Sequence, residues 1–534
     1  MNNFVLDFIF MKIRPTLRLQ SIIYSLMATY VCAQQQDIPV LNIHPASVKK
    51  MDIINSPYRE TNLCLTPDGK YLFFLSGRGG MPWSDPDYTS YRGKKEADGD
   101  IYFTKRTDSL WSKPVCLGQN VNTDMGEDEP NVTPDGQFVI FQSWREGWEK
   151  NGGPYYISEL SGDEWGVPRP LDGGIHDFFY DRMKTHDWMY ATDGSTLSPD
   201  GNTFIFAAGK IYDQPMDFYQ SKKVNGQWSY PQKLDLSTDK DDRSVFMAAD
   251  GKTLFFSSAG YGGYGGLDIF KTLLHEDGSH EDVINLGPAF NTSGDDYGFT
   301  MNSTGKEIFY LRDDDIYQMT VTNPDVLFRP LPTLVISGWV TDFYGNPVES
   351  SIRIINRQTR QVAGHAKSNR ISGEYSVVVR KVAGEYSKEV TAAGYRKYAE
   401  NFRISNPDSA ELRSDRILLK KENTELIFFN LDQDTIPAGE FYKLDSIVFF
   451  LFKNKKYRVL LSGHADQSGT DAYNLDLSKR RVENVKNYFL SKGIPDQIMK
   501  AQYFGERHPL IPMPLQQELY LNRRVEIKLI LPSV

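Results

Sequence analysis

Apolar and aromatic runs recur behind the same polar turn through the first half of the chain. Leu72-Phe73-Phe74 follows Thr66-Pro67-Asp68-Gly69-Lys70, and Val139-Ile140-Phe141 follows Thr133-Pro134-Asp135-Gly136-Gln137. Phe204-Ile205-Phe206 follows Ser198-Pro199-Asp200-Gly201-Asn202, and Leu254-Phe255-Phe256 follows Ala248-Ala249-Asp250-Gly251-Lys252. A worn fifth copy sets Ile308-Phe309-Tyr310 behind Ser303-Thr304-Gly305-Lys306. Each copy reads as strand, turn, strand, because Asp-Gly tolerates the positive φ of a tight turn and the run after it suits a buried strand. A further strand follows each copy, at Asp100–Phe103, Tyr155–Ile157, Asp217–Tyr219, Asp268–Phe270 and Asp315–Tyr317. A Trp-x-x-Pro turn comes after three of them, at Trp111, Trp165 and Trp228. About four strands per unit at ~50–67 residue spacing cannot bury both faces alone, and radial stacking can; this predicts an all-β propeller of five blades, with six as the alternative.

The pattern then changes twice. Past Pro324, Pro330 and Pro332, alternation of period two at Val335–Asp342, Ser351–Ile355, Gly373–Val379 and Tyr386–Thr391 predicts a β-sandwich. Past Lys420-Lys421-Glu422-Asn423, strands alternate with helices. The expected elements are a strand at Leu426–Phe429, a helix at Glu440–Leu451, a strand at Tyr457–Gly463, a helix at about 472–492 and a strand at Arg524–Leu531. The second helix shows a stripe of Ser478, Val482, Val485 and Phe489, and Gly493 and Pro495 end it.

The N-terminus reads as an export signal. Lys12, Arg14 and Arg18 precede the apolar run Ile22–Ala28, and Val31-Cys32-Ala33 offers cleavage after Ala33. Lipidation at Cys32 is the less favoured alternative, because Val31 stands where a small residue is wanted. No segment has the ~18 apolar residues of a spanning helix. The expected partition is 1–33 signal peptide, 34–54 N-terminal segment, 55–325 propeller, 333–420 sandwich and 424–534 α/β domain. A net charge of -9 disfavours nucleic acid as a partner. Three cysteines, Cys32, Cys64 and Cys116, without metal-ligand spacing argue against structural zinc; Cys64 and Cys116 read as free thiols ahead of a disulfide.

Candidate chemistry in the first half is thin. His176, Asp177, Asp181, His186 and Asp187 gather in one insertion. They could ligate a metal, but a solvated loop is the favoured reading. Asp313-Asp314-Asp315 reads as an acidic turn, and Gly260–Gly266 lacks the Lys-Ser/Thr and helix of a phosphate loop. No nucleophile, metal site or cofactor loop emerges, so the chain reads as non-enzymatic with no cofactor.

Three resemblances follow from these residues. The repeats, most specifically Phe256–Ile269, resemble the WD-like propeller repeats of TolB-type periplasmic proteins, which implies a binding platform. Gly338-x-Val340-x-Asp342, Asn346-Pro347-Val348, Gly373-x-Tyr375 and Ala393-Gly394-Tyr395 resemble the carboxypeptidase regulatory-like domain, a prealbumin-like spacer. Gly463-His464-Ala465-Asp466, Asn474–Arg481, Tyr503–Glu506 and Asn522–Ile527 resemble the OmpA-like peptidoglycan-binding domain.

That last resemblance implies a ligand, the diaminopimelate of a peptidoglycan stem, whose free end carries an ammonium and a carboxylate. Asp466 is the implied acceptor of the ammonium. Arg481 is the implied fork for the carboxylate, for which a planar guanidinium is better shaped than Lys. Leu477 and Val485, four residues either side, put Arg481 at the border of the buried stripe. Ala465 stands where the family usually has Thr, which removes a supporting hydroxyl. Asn474, Leu477, Arg523 and Arg524 are secondary candidates. The domain order resembles envelope proteins of Bacteroidetes, some linked to type IX secretion. It implies a periplasmic anchor, associated with the outer membrane, that holds peptidoglycan and recruits an envelope or secretion-system protein through the propeller. The alternatives are a propeller-based ligand receptor, or a glycan- or peptide-processing enzyme, tethered to the wall.

Overall fold

A computed structural model describes residues 38–531, apart from 80–87, 92, 187–189, 211–213, 343–344, 406, 422 and 512–515. The export signal, Cys32 and Asp187 lie outside the described residues.

The five repeats build five antiparallel sheets. The first four open with Glu60–Leu65, Glu127–Val132, Ala191–Leu197 and Asp242–Met247, and each continues outward in chain order. The fifth is composite: Thr300–Met301, Glu307–Arg312 and Asp315–Thr320 are completed by Ser47–Lys50 from the other end of the region, paired antiparallel as Ser47↔Thr320. The repeated turn has a common physical basis. Its glycine adopts positive φ in every copy, from 67° at Gly305 to 71° at Gly69, Gly136 and Gly201. In four copies the aspartate side chain accepts a hydrogen bond from the backbone two residues on, at 3.1 Å for Asp68, Asp135 and Asp200 and 2.9 Å for Asp250.

Neighbouring sheets join through their first strands. Asn62 donates to Asp128 at 2.6 Å, Asn131 to Ser195 at 2.9 Å, and the Met247 amide to Thr196 at 2.9 Å. The Gly298 amide donates to Ser244 at 2.8 Å, and the Leu65 amide returns to Thr300 at 3.2 Å. The apolar cores lie between neighbours: Phe73, Val139 and Phe141 fill the first gap, and Leu65, Phe74 and Phe309 the last.

The insertion before the third sheet differs from the expected loop. Residues Gly173–His186 form a helix. Ile175, Phe178 and Phe179 pack against Tyr155, Phe204 and Phe206, so i, i+3, i+4 spacing wins over the polar composition. His176 bonds the Gly153 carbonyl at 2.9 Å. Among the described residues no group of His, Cys, Asp and Glu is arranged to hold a metal ion. Cys64 and Cys116 are free thiols.

Residues 333–419 form a three-stranded and a four-stranded sheet around one core that includes Leu334, Ile336, Ile352, Ile354, Val377 and Ile417. This region meets the first and second sheets through polar contacts. Glu374 accepts from Lys70 at 2.9 Å, and Asn369 donates to the Gly162 carbonyl at 2.7 Å.

The C-terminal sheet runs in the order Thr424–Phe428, Arg524–Ile530, Arg458–His464, Met499–Gly505. The last two strands are parallel, and the Met499–Gly505 strand is absent from the sequence expectation. Helices Phe441–Lys453 and Asp471–Ser491 close over a core of Leu444, Leu461, Val482, Val485, Phe489, Val525 and Ile527. No helix among the described residues is long and apolar enough to cross a membrane.

Candidate functional site

The site forms where strand Arg458–His464 hands over to the long helix. Gly463 lets strand and helix touch: a Cβ there would lie 2.3 Å from the Ser478 carbonyl oxygen. The turn that follows carries Asp466 and ends at Thr470, which caps the helix by accepting from the Tyr473 amide. Asp466 is 5% exposed. One carboxylate oxygen accepts from the Ser468 amide at 3.2 Å, and the other from the Arg523 guanidinium at 2.9 Å. Arg523 also donates through Nε to the Phe429 carbonyl at 3.2 Å.

Arg481 departs from its expected place at the border of the stripe. It is 0% exposed. Its Nε donates to the Gln433 carbonyl at 2.8 Å, Nη1 to His464 at 3.0 Å and Nη2 to Asn430 at 3.3 Å, and its guanidinium centre lies 5.2 Å from the Phe429 ring centroid. The physical reason is the turn at 430–434, which folds over the side chain and presents carbonyls to it. Asp432 takes a positive φ of 55° there. Arg480 holds Asp434 at 2.8 Å, and Asn484 donates to the Asp434 carbonyl at 2.9 Å. Among the described residues, three of the five N–H groups of Arg481 thus meet acceptors, all of them neutral carbonyls. Burial pushes Arg481 down to about 10, with Asp466 pulling it back up, so it remains a cation at neutral pH.

The secondary candidates divide. Arg523 belongs with Asp466. Asn474 is buried and donates to the Glu506 carboxylate. Leu477 is buried on the helix. Arg524 takes the opposite face of the sheet, because Val525 and Ile527 face the helices and strand residues alternate. There it donates to Glu526 at 2.8 Å through Nε, beside His464, which stacks on Phe504. Burial, with Arg524 and His508 adding to it, pushes the His464 imidazole down to about 2. Asn430, Gln433 and the Phe429 ring, which enclose Arg481, are absent from the sequence candidates; two of the three act through backbone carbonyls that any residue would supply.

The arrangement sets one buried acid, Asp466, against two cations, with Asp434 and Asp432 acting on Arg481 from the turn. Asp466 is bonded to Arg523 and electrostatically coupled to Arg481, while Arg481 has no carboxylate bonded to it among the described residues.

Residues 428–519 match the OmpA family. A peptidoglycan-associated lipoprotein of Rhizobium meliloti is 36% identical over 84 residues, 16% of this chain and 48% of that protein. Outer membrane protein A of Bordetella avium is 31% identical over 103 residues, 19% of this chain and 53% of that protein. The chain spans about half the length of these curated relatives. A crystal structure of the peptidoglycan-associated lipoprotein from Burkholderia pseudomallei, 24% identical, covers 20% of this chain and 89% of its own, with a TM-score of 0.19. The chain is therefore a β-rich, multi-sheet protein that ends in an OmpA-like domain.

Proposed function

We propose that the OmpA-like domain, 424–534, binds peptidoglycan through the diaminopimelate end of a peptide stem. The observation that carries this reading is the Asp466–Arg523 ion pair lying against a buried arginine with no carboxylate of its own. A zwitterionic ligand can exchange into such a trio without changing its net charge. Its ammonium takes the place of Arg523 on Asp466. Its carboxylate meets the released Arg523 and the two remaining N–H groups of Arg481, which the 430–434 turn uncovers as it yields. Because one ion pair is exchanged for another, a single stem binds modestly, and hold on the wall comes from many stems offered to several copies.

The five sheets, joined in a ring and closed by Ser47–Lys50, support a five-bladed propeller over 55–325 that extends back to Ser47. The two sheets of 333–420 support a prealbumin-like spacer. On this reading the protein is a non-enzymatic periplasmic anchor. The wall holds the C-terminal domain, and the propeller recruits an envelope protein, a type IX secretion component on the layout resemblance.

The test is co-sedimentation with diaminopimelate-type sacculi. Asp466→Asn and Arg481→Lys should lose most of the bound fraction while thermal melting stays cooperative. Parent-like sedimentation of both folded variants overturns the site. Equal sedimentation with lysine-type sacculi overturns the ligand.

A further inference from the structure

The helix Phe441–Lys453 is apolar on the wrong side as well as the right one. Leu444, Ile447, Val448 and Leu451 face the core. On the opposite side Tyr442 is 66% exposed and Phe449 62%, and Phe452, 52% exposed, stands on the flank between that side and the core. Tyr442 and Phe449 are seven residues apart, so they stand about 20° from each other around the helix, at the crest of its outer face. A helix face turned to water is ordinarily polar.

Cations crowd the same region. Lys453, Lys455, Lys456 and Arg458 are all exposed, and Lys453 Nζ lies 4.2 Å from the Phe449 ring centroid. Lys492 adds a further cation alongside, paired with Asp445 at 3.1 Å. Between 440 and 458 the only acids are Glu440 and Asp445, on a chain whose net charge is -9. Exposed aromatic side chains on a helix that runs out into a short cationic segment are the composition of a surface that rests at a lipid interface.

We propose that this face docks on an anionic phospholipid surface, with Tyr442, Phe449 and Phe452 in the headgroup layer and the Lys453–Arg458 cations on the phosphates. Charge decides the occupant. A two-fold pairing with a second copy sets the same patch against itself and brings these cations face to face. The geometry leaves the wall site usable at the same time. Arg458 opens the strand whose far end leads to Asp466, and seven residues of strand separate the two ends by roughly 20 Å.

The test is flotation of residues 34–534, the chain that cleavage after Ala33 leaves, with vesicles of phosphatidylglycerol and phosphatidylethanolamine or of phosphatidylcholine alone. Binding should favour the anionic vesicles and weaken with salt. Lys453→Gln/Lys455→Gln/Lys456→Gln should lower partitioning on the order of 100-fold. Tyr442→Ser/Phe449→Ser should abolish flotation while leaving sacculus sedimentation and the melting transition unchanged, because these positions are exposed. Equal flotation on both vesicle types, or parent-like flotation of both variants, overturns the proposal. So does an absence of flotation, including one accompanied by a dimer in analytical ultracentrifugation that Phe449→Ser dissociates. Sacculus binding is read separately, so failure here does not touch the wall site.

Discussion

Arg481 and Arg524 are both withdrawn from water within one small domain, yet their charges are answered differently. Arg524 has its own carboxylate: Glu526, two residues along the same strand face, accepts from Nε and Nη2. Arg481 is bonded by three carbonyls and feels its acids, Asp466, Asp434 and Asp432, only through space. The first pair neutralises itself inside the fold. The second leaves a positive charge that the fold orients without bonding it to a carboxylate. Burying a charge is costly, and an arrangement that leaves it without a bonded carboxylate is better explained by a ligand than by stability.

The largest effect that separates the two belongs to the self-neutralised face. Glu526→Ala strands a buried guanidinium and should cost about 3–5 kcal/mol, read by chemical denaturation of the domain. Arg524→Met/Glu526→Leu, which removes both charges, should recover most of that loss. On the other face, Asp466→Asn should cost little stability but reduce sacculus affinity by about 1.5–3 kcal/mol, the range for a hydrogen bond to a charged group. A reversed pattern, with Asp466 governing folding and Glu526 governing binding, breaks the distinction.

The third effect is a pH dependence confined to the Arg524 face. His464 is held neutral in the folded state, with its imidazole near 2, whereas an unfolded histidine titrates near 6.5. The unfolded chain therefore takes up the proton first. Stability is complete above pH ~6.5 and falls as pH drops through the window below it, by about 1.4 kcal/mol per pH unit once well under that value. The unfolding free energy of the 424–534 domain, measured from neutral pH down to ~5, should fall by up to about 2 kcal/mol. His464→Phe should flatten that slope. A slope unchanged by the substitution assigns the acid lability elsewhere.

How much of this is legible in the chain depends on which atoms do the work. The Asp-Gly turns and the runs behind them are legible because both sides of each turn are specified by side chains. The long helix is legible from its Ser478, Val482, Val485, Phe489 stripe. The Gly173–His186 helix is obscured by its histidines and aspartates, although Ile175, Phe178 and Phe179 hold the helical spacing. The Met499–Gly505 strand is obscured because it is mixed in polarity and mostly half-buried, without a clean alternation. A second repeat signal also lies in the sequence, unread. Ser56, Thr123, Thr238 and Thr292 each precede by four an acid, Glu60, Glu127, Asp242 and Asp296, that accepts from their backbone amides at 2.5–3.2 Å. The enclosure of Arg481 is the deepest gap. Carbonyls contributed by Asn430, Gln433 and His464 carry no residue code, so spacing alone leaves that side chain at a border when it lies inside.

The smallest effect tests the enclosure itself. Arg480 is half in solvent and ties Asp434 to the helix at 2.8 Å, so it clamps the 430–434 turn without touching the Arg481 guanidinium. Arg480→Gln should cost under about 1 kcal/mol, as exposed pairs do. It should still raise amide hydrogen exchange across 430–434, because the turn loses one of its ties to the helix. If that turn is the cover over a ligand-seeking charge, loosening it leaves sacculus affinity intact or improves it. If the turn instead exists to stabilise Arg481 permanently, the same substitution lowers affinity and stability together. The ratio of the two changes, measured on one variant, decides whether the carbonyls around Arg481 are a resting place or a final partner.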